Sequence, residues 1–192
     1  MIPEDKQSQF LRAYLPVHAR LDRYVRSMTR DADDARDAVG DTVLEAYEQF
    51  EGIRDTAAFL SFIFTIARRT LSRMRWRRRL FHHQDDETME QFASVLQSPE
   101  TAAEIRLLHD ALRRLPRAQR EALVLHELSD LPLERVAEIQ HASLSAVKQR
   151  VRRARLHLKD LLGVDAHDAE RSHLHSRGTF SSIVVPAEEG HE

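Results

Sequence analysis

The chain has 192 residues, no cysteine and a formal net charge of −2 at pH 7. The lack of cysteine excludes disulfides, thiolate catalysis and Cys-rich zinc sites, and no apolar run approaches the roughly 20 residues needed to span a bilayer. Because the N-terminus also lacks the basic-then-apolar order of a signal peptide, we expect a soluble protein of the cytoplasm.

The first half of the chain carries apolar residues at spacings of three and four, which predicts helices rather than strands. One apolar stripe begins at Phe10 and ends at Met28, and Pro16 is expected to kink or restart the helix. A second helix is expected to begin within residues 31–34, where acids suit a helix N-terminus. Its predicted inner face comprises Ala35, Val39, Val43, Ala46 and Phe50. A third, long helix follows, with Thr56 as its expected cap.

Charge is distributed unevenly along the chain. Residues 68–79 contain seven Arg and no acid, whereas residues 84–104 contain six acids and no base. Helical periodicity fades over residues 82–101, which would be unusual inside a compact domain. We therefore predict an all-α protein with two small helical domains joined by a flexible acidic linker. The predicted bounds are 1–82 for the first domain, 83–103 for the linker, 104–162 for the second domain and 163–192 for a C-terminal extension.

A basic amphipathic helix is predicted near the end of the second domain. Residues 143–159 hold six Lys or Arg and no acid, and Ser143 is the expected cap. A short helix over residues 133–139 and a turn of about four residues precede it, which is typical of a helix-turn-helix whose second helix enters the major groove. The candidate DNA-binding residues are Ser143, Ser145, Lys148 and Gln149 in the first turns, and Arg152, Arg153 and Arg155 beyond them. The alternatives are a solvated surface and a site for an acidic protein.

Two parts of the chain resemble one family, the extracytoplasmic function (ECF) sigma factors of the sigma-70 family. Residues 115–158 read LPRAQREALVLHELSDLPLERVAEIQHASLSAVKQRVRRARLHL, similar to the family pattern LPxxxRxxLxLxxxxxLxxxEIAxxLGVSxGTVKSRLxRARxxL. Residues 34–47 read DARDAVGDTVLEAY, which resembles DAEDLVQETFLRAW. Residues 59–79 read FLSFIFTIARRTLSRMRWRRR, which resembles WLFTIARNxxxDxxRRRRR.

The resemblance implies a subunit that directs core RNA polymerase to promoters and has no catalytic activity or cofactor of its own. It implies that the second domain reads the −35 element, and that the first domain captures the melted non-template strand of the −10 element. The residues implied at the −10 element are Phe50, Arg54, Asp55, Arg68, Arg69, Arg73, Arg75, Trp76 and Arg77. Those implied to bind the polymerase clamp are Asp34, Asp37 and Asp41. An anti-sigma factor or a regulatory kinase is a further expected partner.

The chain departs from the family patterns at several positions. Arg36 replaces an acid and Gly40 a Gln in the first motif, which implies weaker contact with the clamp. Arg69 and Arg73 replace Asn and Asp in the long helix, and Gln140 and His141 replace Leu and Gly in the turn. A further hypothesis places regulatory phosphorylation at Thr42, beside the altered acidic motif.

Other functions are less well supported by the sequence. A helix-turn-helix regulator that binds duplex DNA without polymerase accounts for the second half but not for the first. Trp76 suits packing in a core or between domains as well as base stacking. No phosphate-binding glycine loop or activated nucleophile is evident. The histidines and acids of the extension, including His167, Asp168, His173 and His175, match no strong metal pattern, so we predict no metal site. The extension is expected to be disordered or to regulate access to polymerase.

Overall fold

A computed structural model describes residues 5–51, 55–81 and 99–163 of the chain. All of the regular structure in these residues is helical, which confirms the predicted all-α class. The helices are α1 (Lys6–Tyr14), α2 (His18–Met28), α3 (Ala32–Glu48), α4 (Thr56–Phe81), α5 (Pro99–Arg114), α6 (Arg117–Leu123), α7 (Leu133–Gln140) and α8 (Leu144–Leu162). The chain divides into two compact units, residues 1–91 and 92–192. Among the described helices, none is both long enough and apolar enough to cross a membrane.

The helices of the first unit begin and end where the sequence supplies caps and breaks. Asp5 caps α1 by accepting a hydrogen bond from the Ser8 amide at 2.8 Å. The chain turns at residues 15–17, and α2 then begins at His18, so Pro16 separates two helices. Asp31 caps α3 in the same way through the Asp34 amide at 2.6 Å. At α4 the cap is Asp55, whose carboxylate accepts from the Ala58 amide at 3.2 Å, so Thr56 is not the cap as predicted.

The core of the first unit is built around α4. Tyr24 meets Phe64 edge-on at 5.4 Å, and the ring of Phe10 lies 5.4 Å from Phe50 and 5.8 Å from Phe59. These rings are buried, and burying rings of this size contributes most of the stabilisation in a small core.

The buried face of α3 differs from the predicted one. It consists of Ala35, Ala38, Thr42 and Ala46, whereas Val39 and Val43 are half-buried. Helix α3 packs against both α2 and α4, and small side chains let the backbones approach closely at these contacts. The prediction is confirmed for Ala35, Ala46 and Phe50, and it is wrong for Val39 and Val43, each of which lies one residue after a residue that is buried.

The second unit contains the predicted helix-turn-helix, with α7 and α8 as its two helices. Helix α6 continues into a π-helical segment, Val124–Leu128, in which the Ser129 amide donates to the Val124 carbonyl at 3.0 Å. Pro132 lies at the N-cap position of α7, which has no side-chain cap hydrogen bond. Helix α5 begins at Pro99, within the predicted linker 83–103; residues 83–98 lie outside the described structure.

The turn between α7 and α8 contains a strained residue. His141 has φ 48°, in the left-handed region, at the position where the family pattern has Gly. The Ala142 amide donates to the Ala137 carbonyl at 3.0 Å and the His141 amide to the Glu138 carbonyl at 3.1 Å, which closes the helix end in a Schellman arrangement. This tight ending fixes the short turn that positions α8.

Candidate nucleic-acid interface

Helix α8 has one buried and one cationic face. The spacing of Leu144, Val147, Val151, Ala154 and Leu158 predicts one apolar face, and all of these residues are buried except Leu144, which is half-buried. Ser143 caps the helix by accepting a hydrogen bond from the Ala146 amide at 3.2 Å. On the opposite side a shallow cleft is lined by Ser145, Ala146, Lys148, Gln149 and Arg152. The face therefore presents an amide and two cations to solvent, which suits base edges and phosphates respectively.

The predicted −35 residues fall into two groups in the structure. Ser145, Lys148, Gln149, Arg152 and Arg153 are exposed on α8. Ser143 is occupied by its capping role, and the Arg155 Nε donates to the Glu127 carboxylate at 3.0 Å. All seven side chains are exposed, but Ser143 and Arg155 already have partners within the chain.

A buried polar network holds the start of α8 against α6 and α7. Arg150 Nη1 donates to Gln140 Oε1 at 2.7 Å, and Gln140 Nε2 donates to Glu121 Oε2 at 2.9 Å and to the Ala118 carbonyl at 3.2 Å. Glu121 is only 3% exposed and Gln140 only 5%. The sequence carries one signal for this network, which is the polar side chain of Gln140 at an apolar position of the family pattern.

At the basic end of α4, two predicted −10 residues are engaged within the first unit. Arg73 Nη2 lies 2.6 Å from Glu45 Oε2, and Arg69 pairs with the other oxygen of the same carboxylate. The Glu45 side chain is 15% exposed and needs positive charge beside it. Arg69 and Arg73 therefore join α4 to α3, which leaves less of their charge for DNA.

The Glu45–Arg73 pair has opposite charges to those in the family patterns. DAEDLVQETFLRAW has Arg at the position of Glu45, and WLFTIARNxxxDxxRRRRR has Asp at the position of Arg73. Both positions differ from the patterns, and the structure brings the two residues together. The exchange of charge at both positions is the feature of the sequence from which this contact could have been predicted.

We expect Glu45 to make the first unit sensitive to acid. Burial alone would raise the pKa of Glu45, but hydrogen bonds from Arg73 and Arg69 outweigh it and hold the pKa below its ordinary value of 4.5. The stabilisation is complete above that value and is lost as the pH falls through the lower folded-state pKa. Replacing Glu45 by Gln should lower the unfolding free energy by about 1 kcal/mol at neutral pH, since its arginine partners are half exposed.

Urea unfolding of the wild type and of Glu45→Gln measures this difference at neutral pH and near pH 3. The difference should shrink at the lower pH, because below 4.5 the carboxylate of the unfolded state takes up a proton that the folded-state carboxylate resists. Glu48→Gln is the matched control, because Glu48 ends the same helix with an exposed side chain. A difference that stayed constant with pH would contradict the assigned role of the Glu45 charge.

The remaining −10 candidates differ widely in exposure. Phe50 is 4% exposed and belongs to the aromatic core, so it is a core residue rather than a base contact. Asp55 caps α4, and Arg54 lies outside the described residues. Arg68 and Arg75 are half-buried, and Arg75 donates to the Ser72 hydroxyl at 3.2 Å.

Trp76 and Arg77 are exposed on α4, as are Arg69 and Arg73, which differ from them in pairing with Glu45. Trp76 is 65% exposed, which excludes packing in the core of the first unit. Arg79 is exposed beside them, whereas Arg78 pairs with Asp34 and lies 3.2 Å from Asp31. An aromatic plane flanked by cations suits stacked bases and phosphates.

The acidic face of α3 is smaller than predicted. Asp34 pairs with Arg78; burial raises its pKa, with Asp31 adding to the rise and Arg78 opposing it. Asp37 and Asp41 are exposed and lie one turn apart. Leu44 follows in the next turn and is 59% exposed, so an apolar side chain extends this acidic surface.

Thr42 is not a surface residue. It is 0% exposed, and its hydroxyl donates to the Ala38 carbonyl at 2.6 Å. A kinase could not reach this hydroxyl in the folded protein, and a phosphate there would separate α3 from its neighbours. The hypothesis of regulatory phosphorylation at Thr42 is therefore withdrawn.

Gly40 lies in the middle of α3 on its solvent side. A Cβ atom built there would meet nothing within 4 Å. Gly costs about 0.5–1 kcal/mol relative to Ala in a helix interior, so Gly40→Ala should raise the unfolding free energy by about that amount. Urea unfolding measures it, with Ala46→Gly on the buried face of α3 as the opposite control, and a decrease for Gly40→Ala would contradict the prediction.

No group of three or more potential metal ligands occurs within residues 5–51, 55–81 and 99–163. The histidines of the extension that were weighed as ligands lie outside those ranges, as does the rest of the predicted extension after Gly163.

Comparisons with known proteins identify both halves of the chain. The family model for sigma-70 region 2 matches residues 13–80, and that for sigma-70 region 4 matches residues 105–158. The region 2 match accounts for the half that a helix-turn-helix regulator left unexplained.

Curated relatives and solved structures agree with the family models. The ECF RNA polymerase sigma factor EcfG of Rhodopseudomonas palustris is 34% identical over 142 residues, which cover 72% of this chain and 77% of the relative. The RNA polymerase sigma factor SigV of Bacillus subtilis is 31% identical over 132 residues, which cover 69% and 78%. The sigma factor RpoE of Bartonella quintana, solved with the anti-sigma factor NepR, is similar with a TM-score of 0.62 at 29% identity, covering 81% of this chain and 98% of that one.

These matches extend over both helical units, and all of them are sigma factors or regions of sigma-70. The chain therefore belongs to the ECF sigma factors of the sigma-70 family, the subunits through which RNA polymerase initiates transcription at promoters.

Proposed function

We propose that the exposed face of α8 reads the −35 element of the promoters that this sigma factor serves. The observation that supports it is the cleft lined by Ser145, Lys148, Gln149 and Arg152 on the second helix of a helix-turn-helix. In this arrangement Gln149 is placed to pair with an adenine edge, and Lys148 and Arg152 with phosphates. Arg153, exposed at the side of the same helix, adds a further phosphate contact.

The first unit binds the −10 region mainly through the end of α4. Trp76 and Arg77 are its exposed contacts, and Arg68 and Arg75 supply positive charge behind them. Bases that leave the duplex can stack on an exposed indole, and unstacking costs a few kcal/mol, which favours sequences that open readily.

Core RNA polymerase docks on the outward face of α3. Asp37 and Asp41 supply the negative charge and Leu44 an apolar contact, while Asp34 remains tied to Arg78. The sigma-70 regions imply polymerase and promoter DNA as partners, and these work in the bacterial cytoplasm. An anti-sigma factor is a further partner, by analogy with the complex of the Bartonella protein. Sigma factors are not known as enzymes, and no catalytic activity is assigned to this chain.

Run-off transcription tests the proposal. Purified core polymerase is combined with the full chain on genomic promoter fragments, and a version that ends at Leu162 is assayed beside it. Transcripts that depend on the chain are expected, and a difference between the two versions would give the extension a role in access to polymerase. Retained binding to duplex DNA with no transcript from either version would overturn the assignment of α3 and α4 and favour a regulator that acts without polymerase.

A further inference from the structure

The π-helical segment Val124–Leu128 places one acid beside α8. Three of its residues, Val124, Leu125 and Leu128, are buried, whereas the Glu127 side chain keeps 23% of its surface exposed. A π turn holds an extra residue and so shifts the side chains that follow it around the helix axis, and such turns are frequent at functional sites. Here the wide turn presents Glu127 toward the helix that we assign to DNA.

Glu127 binds the arginine that lies one turn beyond the cleft. Arg155 donates to Glu127 Oε1 from Nε at 3.0 Å and also from Nη2. Its side chain is 54% exposed, so it lies at the rim of the cationic face and not in the core. Arg152, three residues earlier, lines the cleft, whereas Arg155 does not.

We propose that Glu127 competes with DNA phosphate for Arg155 and thereby limits the affinity of α8 for DNA. This inference rests on the proposed function of α8. An arginine that neutralises a phosphate releases a counterion and strengthens binding, whereas an arginine held by a carboxylate of its own chain does not. Glu127 is therefore a specificity determinant. By lowering the sequence-independent affinity for DNA, it makes base contacts a larger share of the binding free energy.

The test is binding of the full chain to a fluorescein-labelled duplex of mixed sequence, followed by fluorescence anisotropy over a series of KCl concentrations. A mixed sequence is sufficient because phosphate contacts do not depend on sequence. Glu127→Gln keeps the size of the side chain and removes its charge. It should bind about three- to tenfold more tightly, with a salt slope steeper by about 0.9, the value for one additional phosphate contact.

Two further variants separate the possible outcomes. Arg155→Ala should bind as the wild type does, and Glu127→Gln/Arg155→Ala should show no gain in affinity or slope. If Arg155→Ala weakens binding, the arginine contacts DNA while paired and the inference is overturned. The same holds if Glu127→Gln binds no more tightly than the wild type. Arg155→Ala leaves Glu127 in place, so the inference stays testable if Glu127→Gln fails to fold.

Arg152→Ala distinguishes failure of this inference from failure of the proposed function. It should lower the affinity and reduce the salt slope, whatever the role of Glu127. If Arg152→Ala leaves both unchanged, the assignment of α8 to DNA is wrong. If Arg152→Ala weakens binding and Glu127→Gln gains nothing, α8 binds DNA and only the competition is wrong.

Discussion

Replacing both Lys148 and Arg152 by Ala should lower promoter affinity about 10- to 100-fold at physiological salt, which corresponds to roughly 0.7–1.4 kcal/mol for each lost phosphate contact. Both side chains line the exposed cleft of α8, and their removal leaves the buried face intact. The slope of log affinity against log salt should fall by about 1.8, or 0.9 for each phosphate contact. The measurement is equilibrium binding of the reconstituted holoenzyme to a promoter fragment that is active in run-off transcription.

Two control variants make the result specific to the cleft. Arg114→Ala removes an exposed cation from the end of α5 and should leave affinity and slope close to those of the wild type. Gln149→Ala should leave the salt slope unchanged and relax the preference for one base pair of the −35 element, because it removes an amide and no charge. If all the α8 variants kept wild-type affinity and preference, α8 would lose its assigned role.

The second large effect is expected from Gln140→Leu, which should lower the unfolding free energy of the second unit by about 2 kcal/mol. The substitution restores the residue of the family pattern and adds apolar surface, so a simple count of hydrophobic burial predicts stabilisation. The opposite is expected because Gln140 donates to the buried Glu121 carboxylate and accepts from Arg150. Losing the hydrogen bonds to these two charged groups destabilises the unit by more than the added apolar contact stabilises it.

Urea unfolding followed by circular dichroism measures this change. Gln149→Leu is the matched control: the same substitution on the exposed face of α8 should change the unfolding free energy by less than about 0.5 kcal/mol. The cost of Gln140→Leu/Glu121→Met should be smaller than the sum of the two single costs, since both residues belong to one network. A Gln140→Leu protein as stable as the wild type would show that the network contributes only to geometry.

The sequence predicted elements whose cause is local. The spacing of Val147, Val151, Ala154 and Leu158 is enough to identify the buried face of α8, and Ser143 was recognised as its cap because capping depends on the adjacent residues. The all-helical class followed from the same periodicity. The relation of both halves to one protein family came from their sequence motifs, because periodicity alone does not identify a family.

The sequence does not show contacts that depend on a distant partner. The resemblance implies a −10 contact for Arg69 and Arg73, but the structure pairs both with Glu45, which is 24 and 28 positions away. Phe50 was assigned to a base because it borders the loop before α4, whereas its ring packs against Phe10 and Phe59. On α3, alanines carry too weak an apolar signal to mark the close-packed face. None of these contacts is indicated by a pattern among residues that are neighbours in the sequence.

The exposed indole of Trp76 has a practical consequence. The chain contains one tryptophan, and it lies at the basic end of α4 with 65% of its surface in solvent. Ultraviolet emission excited at the long-wavelength edge of the indole band therefore comes from one known position. Bases stacked on an indole change its emission, so this end of α4 reports its own occupancy in unlabelled protein. Binding by α8, which has no tryptophan, is silent in the same signal, so titrating the free chain with DNA reports on the end of α4 alone.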